Sequence, residues 1–153
     1  MNLSNLKLEL EKIVEKSSAF DEFYTGDIKI SDNLTIRYKK SNSGNLLRIK
    51  YADADKEYAN KTQEIIYSML TNTTYLDLCC NKLEELPESV SNLSELRELI
   101  LPTNNIQALP NSISNLKNLW HIQLDRNKFD KYPKVLDSVK SLKFIEFFYN
   151  SSK

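Results

Sequence analysis

The stretch LDLCCNKL at residues 76–83 decides the fold of the C-terminal half, because the chain returns to the same pattern. It recurs as LILPTNNI at residues 99–106, as IQLDRNKF at residues 122–129 and as IEFFYN at residues 145–150. The asparagines Asn81, Asn104, Asn127 and Asn150 are therefore 23 residues apart. Self-similarity at such a period indicates stacked units, each of which buries its apolar face against the next.

The segments between these stretches repeat as well. Leu86-Pro87, Leu109-Pro110 and Tyr132-Pro133 occupy equivalent positions. Proline has no N–H to donate to the hydrogen-bond ladder of a sheet. Each of these dipeptides therefore marks the point where the chain leaves the sheet. The short segments that follow, such as 88–93 and 111–116, predict one turn of α- or 3₁₀-helix. We expect the recurrent asparagines to point inward, where their amides satisfy backbone groups at the turn after each strand.

The region from about residue 73 to 150 resembles the leucine-rich-repeat family, in the 23-residue subtype that carries Leu-Pro after Asn-x-Leu. The resemblance implies an α/β leucine-rich-repeat solenoid, with a curved parallel sheet and short convex helices or turns. Members of the family commonly bind proteins through concave residues whose identities vary freely. The resemblance therefore implies a protein-binding module and names no partner.

Residues 1–72 do not repeat, and their apolar spacing predicts a different architecture. Helical spacing covers residues 3–16 and 54–70, and alternating apolar residues predict strands at 28–30, 34–38 and 47–51. The prediction is a small α+β segment in the order α-β-β-β-α. One interpretation is a cap over the first leucine layer, placed there by the helix at 54–70. The other interpretation is a separate small functional domain at residues 1–72. In both interpretations the repeats cover residues 73–153, as three full units and one partial unit.

Charge balance, the length of apolar runs and the cysteines limit the functions and locations that fit this chain. Lys plus Arg equals Asp plus Glu at 21 each, and both halves balance, so no basic face for nucleic acid is expected. No apolar run is long enough to span a membrane, and no secretory signal is visible. Cys79 and Cys80 are neighbours that should point to opposite faces of a strand, which favours reduced thiols and a cytoplasmic location. Export by a route without a visible signal remains open, and the Asn- and Lys-rich repeats favour a bacterial source.

The chain offers little for catalysis. Its two glycines, Gly26 and Gly44, form no phosphate loop, and one histidine with two adjacent cysteines makes no zinc-like ligand cluster. In the repeat register His121 and Asp125 lie about 13 Å apart along one strand, which is too far for a triad with Cys79. A carboxylate pair from the first half, Asp53 or Asp55 with Asp27, remains open. We expect no enzyme activity, no catalytic residue, no metal and no cofactor.

The predicted binding surface is the concave face of the sheet. Side chains alternate along a strand, so the residues flanking the repeated leucines form columns one strand apart. Glu98 and His121 fall in one column and are expected to pair. Aromatic side chains with a few charges are typical of interaction surfaces. The candidate protein-binding residues are Tyr75, Asp77, Cys79, Glu98, Ile100, Trp120, His121, Gln123, Arg126, Phe144, Glu146 and Phe148.

The last repeat stops after its asparagine. Phe144, Ile145, Phe147 and Phe148 are then expected in an uncovered edge strand, which either marks a fragment or mediates a homodimer. The leading hypothesis is a protein-binding module with a protein partner and with no nucleic acid or membrane partner. The alternatives are a small effector or enzymatic domain at 1–72 with the repeats as targeting arm, and an architectural subunit that self-associates through the C-terminal strand.

Overall fold

A computed structural model of the chain describes residues 3–19, 25–53 and 55–150. The order of helices and strands in the first half is the predicted one. The elements there are α1 (Leu3–Ala19), β1 (Thr25–Ser31), β2 (Leu34–Ser41), β3 (Gly44–Tyr51) and α2 (Lys56–Met69). The repeats then contribute four short strands, β4 (Tyr75–Asp77), β5 (Glu98–Ile100), β6 (His121–Gln123) and β7 (Phe144–Glu146).

Both helices bury one apolar side, as their spacing predicts. The side chains of Leu6, Leu10 and Ile13 on α1 are fully buried. At the start of α2 the Asp55 side chain accepts a hydrogen bond from the Tyr58 N–H at 2.8 Å. This N-cap satisfies one of the amides that the first turn leaves without a partner.

The repeated asparagines bind the backbone of neighbouring units. Asn104 is 4% exposed, and its Oδ1 accepts from the N–H groups of Asn81 and Leu83 at 3.0 and 2.9 Å. Its amide nitrogen donates to the carbonyls of Leu78 and Leu101, both at 2.9 Å. Asn127 repeats the arrangement one unit later. The prediction of inward-pointing asparagines is confirmed.

The turn before each asparagine has a left-handed residue. Cys80, Thr103, Arg126 and Tyr149 have φ of 61°, 58°, 54° and 55°. After each turn the chain runs to Pro87, Pro110 or Pro133, and each proline immediately precedes a 3₁₀-helical turn, at Glu88–Asn92, Asn111–Asn115 and Lys134–Ser138. The predicted single helical turns are confirmed as 3₁₀ turns.

All seven strands form one sheet in the order β1-β2-β3-β4-β5-β6-β7. β1, β2 and β3 pair antiparallel, and every pair from β3 to β7 is parallel. The strand next to the first repeat is therefore β3, whereas the sequence had suggested the helix at 54–70 as its cover. Leu47 and Ile49 of β3 join Leu76 and Leu78 in one hydrophobic cluster, which explains why the hairpin docks there.

Polar contacts fix the hairpin against the first repeat. The Thr74 hydroxyl accepts from the Asn45 N–H at 2.8 Å, and the Asn45 carbonyl accepts from the Thr74 N–H at 2.9 Å. Asn81 accepts from the Tyr51 N–H at 2.9 Å and donates to the Ile49 carbonyl at 2.7 Å. β3 therefore occupies the place of a preceding repeat for the first asparagine.

Helix α2 is held against the repeats by Glu85. Its carboxylate lies 2.6 Å from Lys56 Nζ and accepts from the Asn60 amide at 2.6 Å. The Lys56 hydrogen bond, with that of Asn60, lowers the pKa of Glu85. The helix packs beside the first 3₁₀ turn, so α2 lies on the side of the sheet that carries the 3₁₀ turns.

Candidate functional site

The open face of the sheet, defined as the face turned away from the hydrophobic core, carries two in-register rows of side chains. The predicted columns of the repeats are confirmed by the pairing of β4 to β7. Both columns continue into the first half, which the sequence did not reveal. The first row contains Lys39, Leu46, Tyr75, Glu98, His121 and Phe144. The second row contains Asp27, Arg37, Arg48, Asp77, Ile100, Gln123 and Glu146.

The predicted binding residues differ in their exposure. Arg126, Phe144 and Phe148 are exposed, the two phenylalanines by 57% and 64%. Half-buried are Tyr75, Cys79, Glu98, Trp120, His121, Gln123 and Glu146. Ile100 and Asp77 are buried, at 7% and 6% exposed. Ile100, a candidate protein-binding residue, therefore adds little to the exposed apolar surface of this face.

His121 lies between two carboxylates. Its Nδ1 is 3.2 Å from Glu98 Oε2, which confirms the predicted pair. The sequence did not predict the second contact, in which Nε2 is 2.8 Å from Glu146 Oε1. A neutral imidazole donates from one nitrogen only, whereas the protonated ring donates from both. Hydrogen bonds from Gln123 and His121 lower the pKa of Glu146.

Aromatic rings surround this group. The Trp120 ring centroid lies 5.6 Å from that of His121 and 5.5 Å from that of Phe144. The Trp120–Phe144 pair is edge-to-face, an arrangement that aromatic quadrupoles favour. Trp120 precedes β6, so its side chain does not follow the alternation of the strand. It places an indole beside the first row.

Charge is unevenly distributed over the open face. Alternation along the hairpin strands places Lys29, Arg37, Lys39, Arg48 and Lys50 on this face with only one carboxylate, Asp27. The repeats contribute the carboxylates Asp77, Glu98, Asp125 and Glu146. Alternation therefore gathers cations on one side of the hairpins, which the balanced charge totals of the sequence do not reveal. Several of these cations are paired, Arg37 with Asp27 and Arg48 with Asp77.

The two cysteines lie closer together than expected. Their Sγ atoms are 2.7 Å apart, and both are free thiols. The expected opposite orientation is wrong because β4 ends at Asp77 and Cys80 has a left-handed φ of 61°. Burial and the contact with Cys80 raise the pKa of Cys79 to about 11. Its thiol is therefore protonated at neutral pH and is a poor nucleophile.

The last strand is open along one side. Among the described residues β7 pairs only with β6, and Ile145 is 36% exposed although its repeat equivalents Leu99 and Ile122 are fully buried. Phe147 departs from the expectation of an uncovered residue. It is half-buried and packs on Phe129 and Tyr132, with ring centroids 5.6 and 6.0 Å away.

A cavity of about 460 Å³ lies where the β2–β3 hairpin meets the repeats. Lys39 and Asn45 line it from the hairpin, and Tyr75, Arg97 and Trp120 line it from the repeats. The sequence gives no sign of this cavity, because the cavity depends on the unpredicted contact between β3 and β4. Two of its residues, Tyr75 and Trp120, were nevertheless predicted binding residues.

The catalytic arrangements considered from the sequence were a triad in the repeats and a carboxylate pair in the first half. The register that separates Cys79, His121 and Asp125 is confirmed by the pairing of β4, β5 and β6. Of the carboxylates in the first half, Asp27 binds Arg37 and Asp55 caps α2. Within residues 3–19, 25–53 and 55–150, no group of three potential ligand side chains could hold a metal ion. No helix in the part of the chain described above is long and apolar enough to cross a membrane.

Comparison with protein families agrees with this architecture. A family model described as leucine-rich repeat region matches residues 45–153, which is more than half of the chain. The chain belongs to the leucine-rich-repeat family. The match begins in β3, the strand that takes the place of a preceding repeat. No curated protein is similar enough to the chain to count as a match. Leucine-rich-repeat regions generally mediate protein–protein interaction, which is the class of function the fold supports.

Proposed function

We propose that the protein is a non-enzymatic binding module that presents the open face of its sheet to a protein partner. The candidate contacts are the exposed and half-buried residues of the two rows together with Trp120 and Phe148. A sheet held by buried asparagine ladders changes little on binding, so the side chains lose little freedom when a partner docks.

One observation carries the proposal. Phe144 and Phe148 are 57% and 64% exposed on the face that also holds Trp120, His121 and Tyr75. Large aromatic side chains that are exposed beside one another lower the solubility of a folded protein. Such patches usually mark interaction sites. Aromatic residues also dominate the binding energy of protein interfaces.

The test is retention of a partner from source-cell lysate by the immobilised protein. The variant Tyr75→Ala/Phe144→Ala/Phe148→Ala removes accessible aromatic area and leaves Ile100 in place, since Ile100 is buried. Leu8→Ala, on α1 and 50% exposed, is a control that removes exposed apolar area elsewhere. Circular dichroism establishes that both variants fold.

The proposal expects a protein that wild type and Leu8→Ala retain and that the triple variant loses. Equal retention by all three proteins would show that the open face is not the binding surface. Binding would then have to use α1, α2 or the edge of β7.

For the first half we propose a capping role. β3 covers the apolar edge of the first repeat strand, and α2 packs beside the first 3₁₀ turn. A solenoid requires such protection at its ends. The alternative of an independent effector domain at 1–72 has weaker support, since Leu47 and Ile49 share one hydrophobic cluster with the repeats.

A second candidate function is self-association through β7. The observation that favours it is the exposure of Phe144 and Ile145 on a strand with one open side. An edge strand with apolar side chains can pair with a second copy. We further propose a cytoplasmic location, which the two free thiols support.

A further inference from the structure

The cavity between the β2–β3 hairpin and the repeats is rich in hydrogen-bond donors. Lys39 and Arg97 line it, and among the residues that the structure describes neither side chain forms an ion pair. Tyr75 and Trp120 add a hydroxyl and an indole N–H, for which the described part of the chain supplies no partner. Arginine and lysine carry donors but no acceptor, and the indole is a donor only.

The Tyr75 hydroxyl is in its protonated form. Burial, followed by the charges of Asp77 and Glu98, raises the pKa of Tyr75. The hydroxyl can therefore donate to an acceptor in the cavity. Glu98 is the acidic residue that lines the cavity, and its Oε2 lies 3.2 Å from His121 Nδ1. Among the described residues, the donor side chains named above therefore have no acceptor partner.

We propose that this cavity binds an anionic side chain, a carboxylate or a phosphate, of an extended peptide segment in the protein partner. The inference rests on the proposed function and adds the chemistry of the partner. Lys39 and Arg97 supply the charge, and Tyr75 and Trp120 supply neutral donors. Charge-assisted hydrogen bonds of this kind are stronger than neutral ones.

The neighbouring residues suggest how the peptide continues. Tyr75 and Phe144 belong to the same row and are three strands apart, about 14 Å at the usual strand spacing. An extended peptide covers that distance with about four residues. The segment that follows the anionic residue would therefore reach Trp120 and Phe144, where apolar side chains find aromatic partners.

A nucleic acid fits the same face less well. Its phosphates recur along the whole strand, whereas among the described residues the cations of the open face are concentrated on the hairpin strands. Beyond the cavity the face presents the carboxylates of Asp125 and Glu146, which repel a polyanion. A peptide with a local anionic residue and apolar neighbours avoids this repulsion.

The test uses Trp120 as a probe, since it is the single tryptophan of the chain and lines the cavity. Short peptides with the same apolar flank carry a central glutamate, glutamine or phosphoserine. Each is titrated against the full chain, and Trp120 fluorescence and backbone amide NMR shifts are followed together. The variant Lys39→Ala/Arg97→Ala removes the cations from the cavity. Lys128→Ala/Lys131→Ala removes the same charge from exposed positions outside it.

The proposal expects the glutamate or phosphoserine peptide to bind at least about tenfold more tightly than the glutamine peptide. Lys39→Ala/Arg97→Ala should abolish that preference, and the control pair should retain it. The tighter of the two anionic peptides identifies carboxylate or phosphate as the group. Equal binding of the glutamine peptide, equal loss in the control pair, or no change in either signal would overturn the proposal. So would tighter binding of a single-stranded oligonucleotide than of any peptide.

The partner assay separates this inference from the proposed function. A partner lost by the aromatic triple variant but retained by Lys39→Ala/Arg97→Ala would overturn the anionic cavity and leave the open-face module standing. A partner retained by both variants would overturn both proposals.

Discussion

The guanidinium of Arg48 and the carboxylate of Asp77 join the hairpin to the repeats across β3 and β4. Arg48 Nε and Nη2 both lie 2.7 Å from Asp77 Oδ2. The Asp77 side chain is 8% exposed and also accepts from the Cys79 N–H at 2.9 Å. A buried carboxylate held by a charged partner and a backbone amide fixes the register between the two parts of the sheet.

Arg48→Met should therefore destabilise the protein. The change leaves the buried Asp77 carboxylate with only the Cys79 N–H of these two partners. We therefore expect the free energy of unfolding to fall by about 1–2 kcal/mol. Urea unfolding measures the loss. Lys29→Met is the matched control, because the Lys29–Asp32 pair is 67% and 95% exposed and such pairs contribute little. A similar loss for both variants would contradict a special role for the Arg48–Asp77 pair.

The asparagine ladder should tolerate no replacement. In Asn104→Ala the amides of Asn81 and Leu83 lose their acceptor. The carbonyls of Leu78 and Leu101 each lose one of two asparagine donors. Buried unsatisfied groups of this kind should lower the unfolding free energy by about 3 kcal/mol or more. Asn115→Ala, at an exposed position, should stay within about 0.5 kcal/mol of wild type. Thermal and urea unfolding of both variants decide the matter, and equal stability would refute the ladder's role.

Gly44 should be required in the hairpin turn. Its φ is +146°, and a Cβ at this position would clash with the Thr74 hydroxyl. Gly44→Ala therefore combines backbone strain with a forced shift of the Thr74–Asn45 contact, and we expect a loss of about 1–3 kcal/mol in unfolding free energy. Ser43→Ala in the same turn is the control, with an expected change below about 0.5 kcal/mol. If the two variants unfold at the same urea concentration, the steric argument fails.

Glu146 should titrate at lower pH than an ordinary glutamate. The hydrogen bonds from Gln123 and His121 lower its pKa in the folded protein. Its contribution to stability is therefore present above the unfolded pKa and is lost as the pH falls through the folded pKa. Carboxylate chemical shifts measured by NMR over an acid titration report the midpoint. Gln123→Ala should raise that midpoint towards the usual value, and no movement would count against the assignment.

Self-association through β7 should depend on its open side. We expect light scattering to detect a dimer at high protein concentration and Ile145→Lys to abolish it, since an inward charge opposes pairing at an edge strand. Leu8→Lys, at a position 50% exposed on α1, should leave the dimer intact. A wild-type protein that stays monomeric at every accessible concentration would exclude this second function.

Much of the repeat half was predictable, because its contacts recur at one spacing. The period of the asparagines fixed which residues pair across β4 to β7, and the Glu98–His121 contact followed from it. The second contact of His121, to Glu146, was missed because the sequence does not report how far a side chain reaches across a strand. The burial of Ile100 was missed for a similar reason, since neighbouring side chains decide it.

The cavity could not be predicted, because its sides come from segments without a common pattern. Lys39 belongs to a hairpin with no repeat signature, and Arg97 lies between two repeats. They line the same cavity only because β3 pairs with β4, a contact between residues 29 apart in sequence. The apolar faces of the two strands are compatible with that pairing but also with other arrangements, and only packing selects one.

The sequence alone determined the repeat, its register and the inward position of its asparagines, because a 23-residue period forces equivalent residues into equivalent environments. It also determined the helices and strands of the first half, through their local apolar spacing. Tertiary structure decided that these strands extend the repeat sheet, that Cys79 and Cys80 meet, and that Lys39 and Arg97 line a cavity with Trp120. These results depend on contacts between distant segments, whose energies no local pattern records.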